Sequence, residues 1–158
     1  MRRTAALTCI AWCARAPSLR RSFTRVLGLD YVAASVELSR RVAAAAGLPA
    51  LRFAEDDVLQ SAQPDGCADL LVDKGTLDAV GLAADGPAAR KRYAATAARL
   101  LRPGGLLCVT SCNATADELA AEFNGQAFAE VDRVRTYPVF RFGGHEGTRV
   151  ATVAFRRT

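Results

Sequence analysis

An α/β domain built on a doubly wound, mixed sheet is predicted by three features of this sequence. Short apolar runs alternate with helix-forming segments of about ten to fifteen residues, the mark of βαβ units and a parallel sheet. Successive runs stop at a carboxylate, at Asp30, in the Glu55-Asp56-Asp57 cluster and at Asp73. The chain then closes on two alternating segments, which read as an antiparallel pair added to that sheet. The 158 residues suffice for one domain with a core, not for two.

Val26 to Leu29 reads as a strand ending at Asp30. Ala33 to Ala46 reads as a helix of Ala and Leu-type formers, stopped by Gly47 and Pro49. Leu51 to Ala54 is a second strand, and Leu70 to Val72 a third, apolar enough to be buried on both faces. A helix follows from Pro87 to Leu101, with Pro in the first turn, where its missing N–H costs nothing. Pro103-Gly104-Gly105 makes a tight turn into a fourth strand, Leu106 to Thr110. Thr115 caps a short helix to Phe123, with Glu118 completing a capping box. Phe128 to Tyr137 and Thr148 to Phe155 form the closing pair, joined by a Gly-containing loop. Tyr93, Phe123 and Phe128 fall at spacings that suit core packing.

At 51% hydrophobic and 23% charged residues, the composition is that of a soluble globular chain. No apolar run approaches the ~18 residues of a membrane span. The net charge of +5 is concentrated at one end: residues 1–29 carry six arginines and no acid. With those six of the 21 basic residues set aside, 15 remain against 16 acids. The body is nearly neutral, which argues against a nucleic-acid footprint on the domain. Arg90-Lys91-Arg92 reads as a solvated helix face. The five cysteines include no CxxC, and with His145 as the lone histidine, expected on the surface, no metal site is completed. The thiols are read as reduced, with no disulfide framework.

The stretch Asp69 to Val80, DLLVDKGTLDAV, is the active-site candidate. Ligands of open α/β sheets sit beyond the carboxyl ends of the parallel strands, and here a carboxylate and a Gly turn follow a buried strand. Asp30 and Asp57 stand at the same predicted edge. An acid there commonly accepts from ribose hydroxyls, and a second can accept from an exocyclic amine such as that of adenine. A nicotinamide-dependent oxidoreductase would share these acids but lacks its GxGxxG here, and Lys74 as a Schiff-base nucleophile lacks a phosphate-binding loop.

The strings LGLDY, EDDVL, DKGTLDAV, LLRPGGLLCVTSCN and FGG…G…V together resemble class I, seven-β-strand S-adenosylmethionine-dependent methyltransferases with a Rossmann-like sheet. More closely, they are similar to the protein-lysine N-methyltransferases of translation elongation factor 1-alpha. The narrower signature is Thr110-Ser111-Cys112-Asn113 with Thr115, Glu118 and Leu119, followed by Phe142-Gly143-Gly144, Gly147 and Val150. The resemblance implies that Asp30, followed by Tyr31, holds the ribose of S-adenosylmethionine, that Asp57 holds the adenine amine and that Val58 packs near the ring. Asp73, Lys74, Gly75 and Thr76 would line the mouth where the sulfonium methyl meets lysine, with Asp73 orienting the amine. Ser111, Asn113, Phe142 and Gly143 would face the substrate. The implied partner is a protein, elongation factor 1-alpha, rather than nucleic acid or membrane, and a monomer is expected. The alternative is an impaired remnant of this fold acting as a binding domain.

The family's first strand and its Asp-x-Gly-x-Gly-x-Gly loop are missing or replaced in this sequence. Ala6 to Trp12 offers a substitute strand, but the turn after it reads CARAPSL, without the glycines that permit close backbone approach. The expected division is therefore an atypical, Arg-rich segment over residues 1–25 and an N-terminally incomplete methyltransferase domain over 26–158. The first segment has the composition of a transit peptide, or marks a misjoined start. The misjoined start, with a cytoplasmic enzyme, is the expectation, and a mitochondrial one the alternative.

Overall fold

The computed structural model describes residues 4–7, 25–48, 50–125, 127–135, 137–142, 145–148 and 150–158. Seven strands form one sheet in the order β3-β2-β1-β4-β5-β9-β6. These are β1 (Thr4–Leu7), β2 (Arg25–Asp30), β3 (Leu51–Glu55), β4 (Ala68–Lys74), β5 (Leu101–Ser111), β6 (Phe128–Arg133) and β9 (Ala151–Arg157). The first five are parallel, and β9 lies antiparallel between β5 and β6. This is the mixed, doubly wound sheet that the alternation of elements predicts.

The central position is filled, and the filling comes from the arginine-rich segment. Strand β1 pairs parallel with β2 on one side, from Thr4↔Arg25 to Leu7↔Gly28, and with β4 on the other, from Ala5↔Leu70 to Leu7↔Val72. It lies ahead of most of the Ala6–Trp12 run. Pairing needs only backbone N–H and C=O groups at the right spacing, so TAAL serves although its composition gives no strand signal. The turn that would carry the glycines, CARAPSL, lies outside the described residues.

Among the described residues four helices flank the sheet: α1 (Ala33–Ala45), α2 (Thr76–Gly81), α3 (Gly86–Leu100) and α4 (Ala116–Phe123). The capping box forms as expected, with Glu118 N–H donating to Thr115 Oγ1 at 3.2 Å and Thr115 N–H donating to Glu118 Oε2 at 2.7 Å. Helix α2 is not expected from the sequence, because six residues are too few to show a periodicity. Strand β5 starts five residues earlier than predicted. Its Pro-Gly-Gly turn survives as an excursion within the strand, since Ala68 pairs with Leu101 but Leu70 pairs with Leu106. Gly105 is required there, because a Cβ would stand 2.9 Å from the Arg102 carbonyl oxygen.

Strand β6 ends at Arg133 rather than Tyr137, and a separate two-stranded ribbon, β7 (Val139–Phe142) with β8 (His145–Thr148), precedes β9. The two faces of the sheet differ. On one, Leu71, Leu107, Val109, Val153 and Phe155 pack beneath Leu77, Tyr93, Leu100 and Phe123 of α2, α3 and α4. The Phe123 ring meets Tyr93, Phe128 and Phe155 at centroid distances of 6.4, 5.8 and 5.0 Å. On the other, Val26, Phe53 and Val72 pack with Val36 and Ala43 of α1 in a smaller cluster.

Candidate active site

The carboxyl ends of β2, β3, β4 and β5 bring most of the predicted site residues to one edge, in two groups of different character. At the end of β2, Asp30 is half-buried and its Oδ1 accepts from the Val32 N–H at 2.9 Å. That bond stands in for the side-chain cap that Val32 lacks at the start of α1. Asp30 Oδ2 has no partner among the described residues. Tyr31 is 76% exposed beside it. The Asp56 N–H donates to the Asp30 carbonyl oxygen at 2.9 Å, tying the β3 loop to the end of β2. Asp57 lies two residues beyond β3 and is exposed; its Oδ1 accepts from the Leu59 N–H at 2.9 Å. Val58 is half-buried against the larger core cluster.

These acids fit the adenosine end of the implied cofactor. Each is an acceptor-only group held by one oxygen to its own loop, which leaves the other for a ribose hydroxyl or an adenine amine. Residues for the methionine end would come from the turn after β1, outside the described residues.

The second group is closed. Asp73 is 0% exposed. Its Oδ1 accepts from the Thr76 N–H at 2.8 Å and its Oδ2 from the Leu77 N–H at 2.9 Å, while the Tyr93 hydroxyl also donates to it. The carboxylate therefore caps α2 from three residues upstream and has no face open to an amine. This corrects the expectation that Asp73 orients the substrate: its geometry makes it a positioning residue for the turn. Burial pushes its pKa up, and the hydrogen bonds from Tyr93, Thr76 and Leu77 pull it back. The same burial, with Asp73 beside it, holds the Tyr93 hydroxyl well above its ordinary value.

Within the turn, Gly75 takes φ +83°, open to glycine without strain, and donates its N–H to the Thr110 carbonyl oxygen at 3.0 Å. Lys74 is exposed at the end of β4, and Thr76 is half-buried.

A second buried carboxylate fastens the neighbouring turn. Ser111 is 0% exposed and its hydroxyl donates to Asp78 Oδ1, while Asp78 Oδ2 accepts from the Cys112 N–H at 2.8 Å. Ser111 Oγ in turn accepts from the N–H groups of Asn113 and Ala114 at 3.0 and 2.9 Å. Ser111 is thus a fastening rather than a substrate contact, again a correction. Asn113, two residues beyond the end of β5, is exposed. Phe142 lies in β7, and Gly143 lies outside the described residues.

Asp78 and Tyr93 are the site residues that sequence reasoning missed. An acid inside the apolar run LDAV is a signal for Asp78. Tyr93, twenty positions from Asp73 in sequence, gives none. Among the described residues no cluster of His, Cys, Asp or Glu is arranged for a metal ion, and no helix is long and apolar enough to cross a membrane.

Known proteins resemble this chain in sequence and in fold. A family model described as a methyltransferase domain matches residues 13–144. The human protein named EEF1A lysine methyltransferase 2 is 32% identical over 136 residues, covering 85% of this chain and 57% of its own length. Protein-lysine N-methyltransferase EFM4 of Saccharomyces cerevisiae is 33% identical, covering 83% and 59%. The chain thus spans less than three-fifths of these relatives. Among solved structures, the N-methyltransferase NodS from Bradyrhizobium japonicum WM9 in complex with S-adenosyl-L-homocysteine superposes with a TM-score of 0.73 at 17% identity, over 99% of this chain and 78% of its own. A putative methyltransferase from Bacillus halodurans C-125 does so with a TM-score of 0.74 at 10% identity, over 98% and 92%.

Proposed function

The chain belongs to the methyltransferase-domain family, and from that premise we propose that it is an S-adenosylmethionine-dependent protein-lysine N-methyltransferase acting on translation elongation factor 1-alpha, as a cytoplasmic monomer. The substrate follows the name of the human relative, EEF1A lysine methyltransferase 2, and the lysine target also that of the yeast one. The observation that carries the reading is the pairing of two open acceptors, Asp30 and Asp57, with a rigid wall at Lys74-Gly75-Thr76 on the same strand ends.

Bound S-adenosylmethionine would supply a methyl group already electrophilic on its sulfonium. The task left to the protein is placement. Asp30 accepts from the ribose hydroxyls and Asp57 from the adenine amine, with Val58 supporting the loop. Asp73 and Asp78 hold the two turns that flank the reacting centre, so that Lys74, Thr76 and Asn113 form a fixed rim. A lysine near pKa ~10.4 must be presented as the neutral amine, which withdrawal from water at that rim favours.

Calorimetric titration with S-adenosylmethionine and with NAD, followed by mass spectrometry of elongation factor 1-alpha incubated with the protein and cofactor, tests this. The expected result is binding of S-adenosylmethionine alone and a methyl increment on a lysine. Binding of neither cofactor would favour a non-catalytic binding domain, and binding of NAD alone would remove the methyltransferase reading.

A further inference from the structure

On the face of the sheet opposite Asp73, at the same strand ends, a row of hydroxyls crosses three elements. Lys74 of β4 is in register with Thr110 of β5, and Thr110 with Thr152 of β9. The pleat puts Thr110 and Thr152 on the face away from Val109 and Val153, which are buried beneath the helices. Thr110 Oγ1 lies 2.9 Å from Thr152 Oγ1, and the Tyr137 hydroxyl lies 2.7 Å from that same Thr152 oxygen. All three side chains are half-buried.

The proton count in this row is informative. Each hydroxyl carries one O–H and can accept twice. Two contacts use two of the three protons, so one proton is left free of the row, on Tyr137, on Thr110 or, where both of these donate to it, on Thr152. If Thr110 donates to Thr152 and Thr152 to Tyr137, the outward proton is that of Tyr137, and Thr110 Oγ1 is left as an open acceptor one strand from Lys74. Neither contact fixes its own direction, since either oxygen can be the donor in each. Among the described residues no carboxylate is bonded to the row, and Asp73 is enclosed on the other face.

We propose that Thr110, Thr152 and Tyr137 form the seat and proton outlet for the target lysine amine. The proposal rests on the methyltransferase reading above and adds residues that neither the family resemblance nor the site description assigns. An Nζ–H of the arriving ammonium donates to Thr110 Oγ1. As that proton crosses to Thr110, the Thr110 proton passes to Thr152, the Thr152 proton to Tyr137, and the Tyr137 proton to a water. Each hydroxyl ends with one proton, as it began. The nitrogen keeps the electron pair of the broken N–H bond, and the positive charge leaves with the water. That pair then forms the N–C bond as the C–S bond of the sulfonium breaks and its electrons stay on sulfur. Thr110 would touch the substrate directly. Thr152 and Tyr137 act through it, as positioning residues.

The test uses the full chain with S-adenosylmethionine and elongation factor 1-alpha, comparing wild type with Thr152→Val, Thr152→Ser and Tyr137→Phe. Thr152→Val keeps the shape and removes the hydroxyl, whereas Thr152→Ser keeps the hydroxyl and removes a methyl group. The expected result is a fall in kcat of roughly tenfold in Thr152→Val and Tyr137→Phe, the size of one lost hydrogen bond to a charged group. KM for the protein substrate, cofactor affinity by calorimetry and melting temperature should stay at wild-type values, with kcat largely retained in Thr152→Ser. Wild-type kcat in both Thr152→Val and Tyr137→Phe overturns the proposal, as does a Thr152→Ser enzyme as slow as Thr152→Val. A loss confined to cofactor affinity overturns it too. Should Thr152→Val fail to fold, Tyr137→Phe decides alone. A wild-type chain that transfers no methyl group defeats the methyltransferase reading itself, a result distinct from an active wild type with unimpaired variants.

Discussion

Among the aspartates at one edge of this sheet, two pairs stand in different environments. Asp73 and Asp78, on the β4–β5 side, are buried and use both carboxylate oxygens to bind backbone N–H groups and hydroxyls of neighbouring turns. Asp30 and Asp57, on the β2–β3 side, give one oxygen each to their own loops and keep the other open. A buried carboxylate is tolerated only when its hydrogen bonds are complete, so the first pair is architecture. An acceptor with an open lone pair at the surface does little for the fold and is available to a ligand. The edge therefore combines a wall fixed before anything binds with a side waiting for its hydrogen-bond donors, a division suited to holding one reactant rigidly against another.

The largest effect should come from Asp73→Ala. It strands the Tyr93 hydroxyl in the core, leaves the Thr76 and Leu77 N–H groups without their acceptor and opens a cavity. Each stranded buried group costs about 1–3 kcal/mol, so roughly 3 kcal/mol or more should be lost, read as a lower urea midpoint. Asp30→Ala, measured in the same way, should cost about 1 kcal/mol, the size of one lost helix cap. Equal losses in the two variants would erase the distinction between wall and open side.

This contrast also marks what the sequence could reveal. The strand ends, the acids at them and the DKGT turn are local patterns, and the strand-to-helix alternation with its closing antiparallel pair sufficed for the sheet. The central strand was hidden, because TAAL sits in an arginine-rich context and backbone pairing leaves no mark on composition. The roles of Asp73 and Ser111 were hidden for another reason. A carboxylate or hydroxyl at a strand end looks the same whether it faces a ligand or a neighbouring turn, and only the arrival of Tyr93 from α3 and of Asp78 from α2 decides between them. Both contacts are tertiary. Resemblance to a family passes on the location of such residues more faithfully than their orientation.

A smaller and more selective effect is expected for Tyr93→Phe. Removing a hydroxyl that donates to a buried carboxylate should cost about 2 kcal/mol near neutral pH. The cost should then change with pH in a fixed direction. In the folded protein Tyr93 holds its proton well above 10.0, whereas in the unfolded chain it releases it near that value. Above pH ~10 the unfolded state thus binds fewer protons than the folded state, and wild-type stability falls as pH rises. Phe has no such proton, so the gap between wild type and variant should narrow in alkali. At the acid end the sign is the same: Asp73 is raised above 3.8, and the folded state gains stability as pH falls through its folded value. Losing the Tyr93 hydrogen bond raises that pKa further and widens the window. Denaturation midpoints followed from acid to alkali, with parallel wild-type and variant curves above pH 10, would contradict the buried pair.

The smallest change in stability and the clearest change in binding should come from the open side. Asp57→Ala removes an exposed carboxylate whose single intramolecular bond, to the Leu59 N–H, orders only its own turn. Water can replace that bond, so the denaturation midpoint should stay within about 0.5 kcal/mol of wild type. For a ligand the same oxygen pair is not replaceable. Adenine offers its exocyclic amine as a donor, and with Asp57 gone that donor loses a charged acceptor, at about 1.5 kcal/mol or a tenfold weaker affinity for S-adenosylmethionine. Asp30→Ala should weaken binding at least as much, since two ribose hydroxyls can share one carboxylate, while adenine presents one amine. The ordering can be checked by calorimetry with S-adenosylmethionine and with methylthioadenosine, which keeps the adenosine and lacks the amino-acid end. Both ligands should lose affinity by the same factor in each variant, because the acids act on the part they share. A loss seen with S-adenosylmethionine but not with methylthioadenosine would move Asp30 and Asp57 away from the nucleoside and reopen which end of the cofactor the β2–β3 side receives.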